Sequence, residues 1–282
     1  MSRLVVRRRS APSANGVLVS VTRESAGWSY VGFDVYRLSK GMRIERAVDA
    51  QEVCAVMLGG RADISFGDQH WHDVGSRENV FGGPPDAVYA PPGGVIAITA
   101  SSETCEVALC WAPAKRGVDP KLLPASAVKP ITRGTGHTER TIHDILMLAE
   151  PAESLLVTEV LTPGGNWSSW PPRKHDTNDL PRESYLEETY YHRTARPEGF
   201  AVQTIYTDDR SLDEAFQVHD GDLVLVPRGY HSVAAGPGYD LYYLNVMAGP
   251  QRRWVATTDA NHLPATQPQT HSGEAEQGVT QK

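Results

Sequence analysis

Cysteine is scarce in this chain: Cys54, Cys105 and Cys110 are an odd number, set in apolar strand-like runs. That excludes a disulfide framework as the source of stability and fits reduced, buried thiols. An excess of positive charge is also missing. Lys and Arg number 27 against 34 Asp and Glu, a formal net charge of -7, and the one basic run is Arg7-Arg8-Arg9. Phosphate binding needs clustered cations, so a nucleic-acid partner is excluded and the run reads as a solvated edge. Nor is any apolar stretch long enough to span a bilayer. Residues 10–16, after the arginines, carry Pro, Ser, Ala and Asn where a secretory signal would be apolar. The expectation is a soluble cytoplasmic protein with no membrane contact.

With 282 residues at 40% hydrophobic, the chain can bury an ordinary core. Twenty prolines and 25 glycines punctuate short apolar runs, among them residues 55–58, 95–98, 155–157 and 223–226. Short runs between turn residues predict an all-β sandwich or barrel. One segment, Glu139 to Ala149, places Ile142, Ile145, Leu146 and Leu148 near helical spacing and predicts a short helical connector between two strand-rich halves. From Thr257 to Lys282 the sequence is too polar to offset its ordering entropy and reads as a disordered tail.

The halves repeat one another. An apolar strand runs into Pro-x-Gly at Val88-Tyr89-Ala90-Pro91-Pro92-Gly93 and again at Leu223-Val224-Leu225-Val226-Pro227-Arg228-Gly229. The simplest account is a duplicated β-barrel. Residues 1–130 would form the first barrel, with a degenerate site; 131–256 the connector and the second barrel, with the active site; 257–282 the tail.

Chemistry concentrates in the second half. Residues 171–193 include Arg173, Lys174, His175, Glu187, Glu188, Tyr190, His192 and Arg193, and His231 follows the Pro227-Arg228-Gly229-Tyr230 turn. If Glu188 points into the barrel, the period-2 alternation of a strand carries Tyr190 and His192 in with it and turns Glu187, Thr189 and Tyr191 away. Imidazole and carboxylate ligands from His175, Glu188 and His231 would suit a divalent metal such as Zn, Mn or Fe. His70 and His72 flank Trp71 in a polar stretch on the wrong side of the motif order and read as surface residues. Trp167, Tyr190, Tyr191, Tyr242 and Tyr243 read as core before sugar pocket. His137, Arg140 and His143 in the connector are candidates to cover the site, without a physical argument in the sequence that they do.

In order and spacing these residues resemble the cupin superfamily, whose first motif is H-x-H, a spacer and E, and whose second is G-x5-P-x-G followed by H. The second motif fits from Gly221 to His231. In the first, His175 and Glu188 match after a longer spacer, and Arg173 replaces the first histidine. More narrowly, residues 24–33, Gly165-Asn166-Trp167-Ser168-Ser169, 186–192, 206–213 and 239–250 are similar to the 5-deoxy-glucuronate isomerase family of myo-inositol catabolism, over nearly all of residues 17–255. That family is related to the ketol-isomerase that acts on pectin-derived hexosulose uronates.

The resemblance implies a bicupin with its metal in the C-terminal barrel and an aldose–ketose conversion of 5-deoxy-glucuronate to 5-dehydro-2-deoxy-gluconate. On that scheme His175, Glu188 and His231 are the metal ligands. His192, Tyr190 and Glu187 are candidates for the proton shuttle, and Arg173, Lys174 and Arg193 for anchoring the substrate carboxylate. Arginine stays protonated, so Arg173 is no ordinary ligand. It leaves three readings: a three-ligand metal site, an arginine reserved for substrate, or a metal-free barrel. A non-catalytic bicupin that binds a sugar acid and a metal-dependent cupin oxygenase are the alternatives to isomerisation. Association into a homo-oligomer is left open.

Overall fold

The computed structural model describes residues 2–266, and two barrels of antiparallel strands account for most of them. In the first barrel the strands Ala87–Ala90, Gln51–Gly59, Thr104–Pro113 and Gly32–Ser39 lie side by side, and the facing sheet runs Gln69–Val74, Ala62–Phe66, Gly94–Ala100, Arg43–Val48. The second barrel repeats both orders with Leu223–Val226, Glu187–Thr194, Leu241–Ala248, Leu156–Thr162, and then Asp213–His219, Phe200–Tyr206, Tyr230–Ala235, Trp167–Lys174. The expected duplication is therefore present strand for strand.

The leading strands are exchanged. Val5–Val6, ahead of the first barrel, pairs with Leu223–Val226 of the second, while Lys121–Leu123, ahead of the second, pairs with Ala87–Ala90 of the first. A pair of carboxylates reinforces this exchange. Glu52 accepts the backbone N–H groups of Glu153, Ser154 and Leu155 at 2.6–2.9 Å. Glu187 accepts those of Ser29, Tyr30 and Val31 at 2.8–3.0 Å. Each barrel thus holds the loop that leads into the other, and both carboxylates are buried.

Strand alternation sorts the core. Along Gln51–Gly59, Cys54, Val56 and Leu58 face the seam between the barrels, where they meet Tyr191, Tyr242, Leu244 and Val246. Val53, Ala55 and Met57 face the first barrel's interior with Ile64, Phe66, Ile96, Ile98 and Leu109. All three cysteines are buried and unpaired. Burial pushes the Cys54 thiol far up, and the adjacent Glu52 carboxylate pushes it further.

Two sequence expectations are corrected. The connector segment is a strand, Arg140–Leu146, paired with Leu156–Thr162, and the nearest helical turns are single 3-10 turns at Ala125–Ala127 and Gly136–Thr138. A bulge between Asp144 and Leu146 breaks the alternation and produces the apolar spacing that imitates a helix. The polar tail is ordered at its start. Thr257–Thr258 pairs with Arg173 and Lys174, and a 3-10 segment spans Ala260–Thr266. The buried carboxylate of Asp259 explains the order, since it accepts from the Tyr206 hydroxyl at 2.7 Å and anchors the chain against the barrel. The rest of the expected tail lies outside the described residues.

Candidate metal centre and cavity

His175 leaves the end of the strand Trp167–Lys174 and is fixed from both sides by one residue. Its Nδ1 donates to the Leu186 carbonyl at 3.0 Å, and its own carbonyl accepts from the Leu186 N–H at 2.9 Å. Between it and Glu188 the long spacer folds back as a hairpin, Asp176–Asp179 against Glu183–Tyr185. Asp176 then reaches across to accept the Gly229 N–H at 2.8 Å. Gly229 has φ +92°, and a Cβ there would stand 2.6 Å from the Tyr206 carbonyl oxygen, so the turn requires glycine. Its carbonyl in turn accepts from His231 Nδ1 at 3.0 Å.

With both Nδ1 protons committed to carbonyls, both Nε2 atoms are aimed at one oxygen. His175 Nε2 is 2.7 Å and His231 Nε2 3.0 Å from Glu188 Oε2, and all three side chains are buried. Such a set must share protons or a cation. Burial alone would raise the Glu188 pKa, but the charges of His231 and His175 outweigh it and hold the carboxyl far below the usual range. Burial would lower that of His175, and Glu188 turns it upward. Two imidazoles and a carboxylate whose ligand atoms lie within 4.8 Å of one another fit a divalent metal in donor chemistry and in convergence. Among the described residues this is the one group of three or more such side chains placed to hold an ion.

The triad opens into a cavity of about 270 Å³. Arg173, Tyr190, Tyr243, Ser169, Asn245, Met247 and Trp254 line it, and the connector strand contributes Arg140 and Asp144. Ser169, at φ +53°, sits in the bulge that interrupts pairing between Ser168 and Arg173, and its hydroxyl is 3.1 Å from that of Tyr190. Burial, then the Glu188 charge and Tyr243, push the Tyr190 phenol well above its ordinary pKa. Arg173 is the register partner of His231, and its guanidinium lies 5.1 Å from the centre of the Trp254 ring.

Alternation along Glu187–Thr194 is as the sequence predicts: Glu188 and Tyr190 line the cavity, and Tyr191 faces the seam. The same geometry places four other candidates outside the cavity lining. Glu187 faces the first barrel, where its carboxylate accepts three backbone N–H groups. Arg193 bridges Glu106 of the first barrel and Asp220, both at 2.7 Å, so its charge is already spent. Lys174 pairs with Asp208 at 2.6 Å and does not line the cavity. His192 lies inward but away from the cavity, its Nε2 2.9 Å from Gln203 Oε1 and its Nδ1 without a partner. Its burial lowers the pKa to about 4, leaving it neutral. His72 stays at the surface near Asp63.

Sequence reasoning missed Asp144 and Trp254 and named Arg140 as a candidate cover without a physical argument; all three reach the cavity, from a segment read as helix and from the stretch leading into the expected tail. His143, next to them, turns the other way. It is 2.7 Å from Glu159, whose carboxylate also takes both terminal nitrogens of Arg77 at 2.9 Å and the Tyr242 hydroxyl at 2.8 Å. In the first barrel the strand positions matching Glu188, Tyr190 and His192, counted from the paired clamps Glu52 and Glu187, carry Val53, Ala55 and Met57.

Two barrels of this topology, with one buried His/Glu/His cluster among the described residues, define a bicupin with a candidate metal centre. The KduI/IolB family model matches residues 4–264, and the chain belongs to that family. A 5-deoxy-glucuronate isomerase of Geobacillus kaustophilus is 51% identical over 263 residues, covering 93% of this chain and 95% of the relative. One of Bacillus subtilis strain 168 is 42% identical over 266 residues, 93% and 98% of the two chains. The crystal structure of an IolB-like protein from Salmonella typhimurium LT2 superposes with a TM-score of 0.90 at 42% identity, over 93% of this chain and 98% of that one. Lactobacillus farciminis oxalate decarboxylase shares the fold at 15% identity, with a TM-score of 0.66 over 95% and 91% of the two chains. No helix among the described residues is long and apolar enough to cross a membrane.

Proposed function

We propose that this chain is an aldose–ketose isomerase that converts 5-deoxy-glucuronate to 5-dehydro-2-deoxy-gluconate in myo-inositol breakdown. The observation that carries the reading is the buried His175–Glu188–His231 cluster opening on a cavity that also presents Arg173, within a chain 51% identical to a relative of that name.

His175, Glu188 and His231 would hold a divalent ion, with Zn, Mn and Fe all compatible with two imidazoles and a carboxylate. Such an ion supplies Lewis-acid polarisation of a carbonyl and its neighbouring hydroxyl. Arg173 takes the substrate carboxylate, its guanidinium steadied on Trp254. Tyr190 keeps its proton at neutral pH and donates a hydrogen bond from Oη to the substrate oxygen that gains charge as the carbon-bound proton leaves. Asp144, the cavity-lining carboxylate apart from Glu188, accepts from the Thr158 hydroxyl at 3.1 Å and is assigned the transfer of that proton to the adjacent carbon. The tyrosine rings and Met247 restrict water around the reacting carbons.

Incubation with 5-deoxy-glucuronate in deuterated buffer, followed by NMR, tests the reading. Ketose product should appear, carrying solvent deuterium on the carbon that receives the proton. Failure to convert after supplementation with each of the three metals would overturn it.

A further inference from the structure

Three arginines gather at this cavity and none of them has a carboxylate partner among the described residues. Arg133 and Arg140 stand directly opposite one another on the antiparallel strands Ile131–Arg133 and Arg140–Leu146. Like charges in that position destabilise a sheet. Arg140 is buried, and the one hydrogen bond its guanidinium makes is from Nη1 to the Thr138 carbonyl at 2.9 Å. The turn between the two strands is built around it: Gly134 has φ +80°, and a Cβ there would come within 2.0 Å of the Thr138 oxygen and 2.8 Å of Arg140 Nη1. Arg173 arrives from the barrel wall, and all three line the cavity. Burial lowers the Arg140 pKa, and Arg173 and Arg133 lower it further, against the opposing effect of Tyr243. Arg133 is exposed to solvent, whereas the buried Arg140 guanidinium keeps donors that no protein carboxylate takes among the described residues, beside Arg173 at the same cavity.

We propose that Arg133 and Arg140 form, with Arg173, a carboxylate-binding subsite that fixes the acid end of a sugar acid in the cavity. The inference rests on the sugar-acid reading of the cavity and adds to it the two residues of the connector hairpin, which are binding residues remote in sequence from the metal ligands. Recognition is by charge and by planar donors, so the subsite selects sugar acids over neutral sugars of the same size. It also gives the connector a task, since the barrel alone supplies only Arg173.

Calorimetric titration of the metal-loaded full chain with D-glucuronate and with D-glucose separates the possibilities. The wild-type protein should bind the acid and not the neutral sugar, and binding should weaken as salt rises. R140Q and R133Q should each raise the Kd for D-glucuronate about tenfold, roughly 1.4 kcal/mol. R140K should recover part of that loss, which also guards against a variant that fails to fold. If both Gln variants, folded by circular dichroism and retaining metal, bind the acid within twofold of wild type, the proposal is overturned. The same follows if glucose binds as well as glucuronate. Charge-dependent binding without conversion of 5-deoxy-glucuronate would uphold the subsite while overturning the isomerase reading. Conversion that is unchanged in R140Q and R133Q would uphold the isomerase and overturn the subsite.

Discussion

At the level of single residues, the adjacent carboxylates Glu187 and Glu188 illustrate how one step along a strand changes what a side chain does. Glu188 faces two imidazoles, and Glu187 faces three backbone N–H groups of the other barrel. E188Q should lose bound metal, measured by inductively coupled plasma mass spectrometry, and activity with it. E187Q should retain metal and lose about 3 kcal/mol of unfolding free energy, read from denaturant curves, because charged-acceptor hydrogen bonds are lost from a buried site. A different residue sets a pH limit. His192 has a folded-state pKa near 4, below the roughly 6.5 of an exposed imidazole, so the unfolded chain binds more protons between those values. Its contribution is intact above about pH 6.5 and disappears as pH falls toward 4, on the order of 3 kcal/mol in all. Chemical denaturation of H192N across that window should show a flatter dependence than wild type. D144N should lower kcat about 100-fold or more with little change in KM, the signature of a lost proton-transfer group.

At the level of elements, legibility followed local pattern. The Gly221-to-His231 motif could be read because a strand, a tight turn and a histidine are contiguous, and alternation placed Glu188 and Tyr190 on one face. The connector could not be read, since the bulge at Asp144 puts a strand's residues at helix-like spacing. Asp144 went unrecognised with it, and Arg140 was named as a candidate cover without a physical argument. The stretch from Thr257 to Asp259 was equally opaque: polar residues look disordered until their acceptors, such as Glu183 for the Thr257 hydroxyl and the Pro172 carbonyl for the Asp259 N–H, arrive from distant strands. This edge segment backs Arg173 by main-chain pairing and by Trp254. W254A should therefore raise KM for the sugar acid about tenfold, the equivalent of 1.4 kcal/mol, with kcat much less affected.

Across the whole molecule, the two barrels share a strand order but divide the work. One interior is apolar throughout, with Val53 where the other has Glu188, and the other combines an apolar cluster with the buried His175–Glu188–His231 group. Duplication was visible in the sequence from the repeated Pro-x-Gly turns, whereas the exchange of leading strands was not, because nothing local in Val5–Val6 says which barrel it will join. The seam between barrels is tied by charged groups that cross it. Arg77 to Glu159 and Arg193 to Glu106 join the clamps Glu52 and Glu187. E52Q and E187Q combined should give one cooperative unfolding transition at lower temperature in calorimetry, with no separate barrel transition.

The crossed clamps also impose a schedule on the chain as it is made. Glu52 leaves the ribosome 101 residues ahead of the first backbone group it will bind, an interval of roughly 5–20 s at ordinary elongation rates. Throughout that time the carboxylate has the Tyr89 hydroxyl, at 2.6 Å, as its partner from the first barrel and lacks its three backbone donors, beside an apolar sheet face. The nascent protein is thus exposed to aggregation until the second barrel emerges, and chaperone dependence should centre on that half-made state. The second barrel, by contrast, is synthesised after it, against a template already in place.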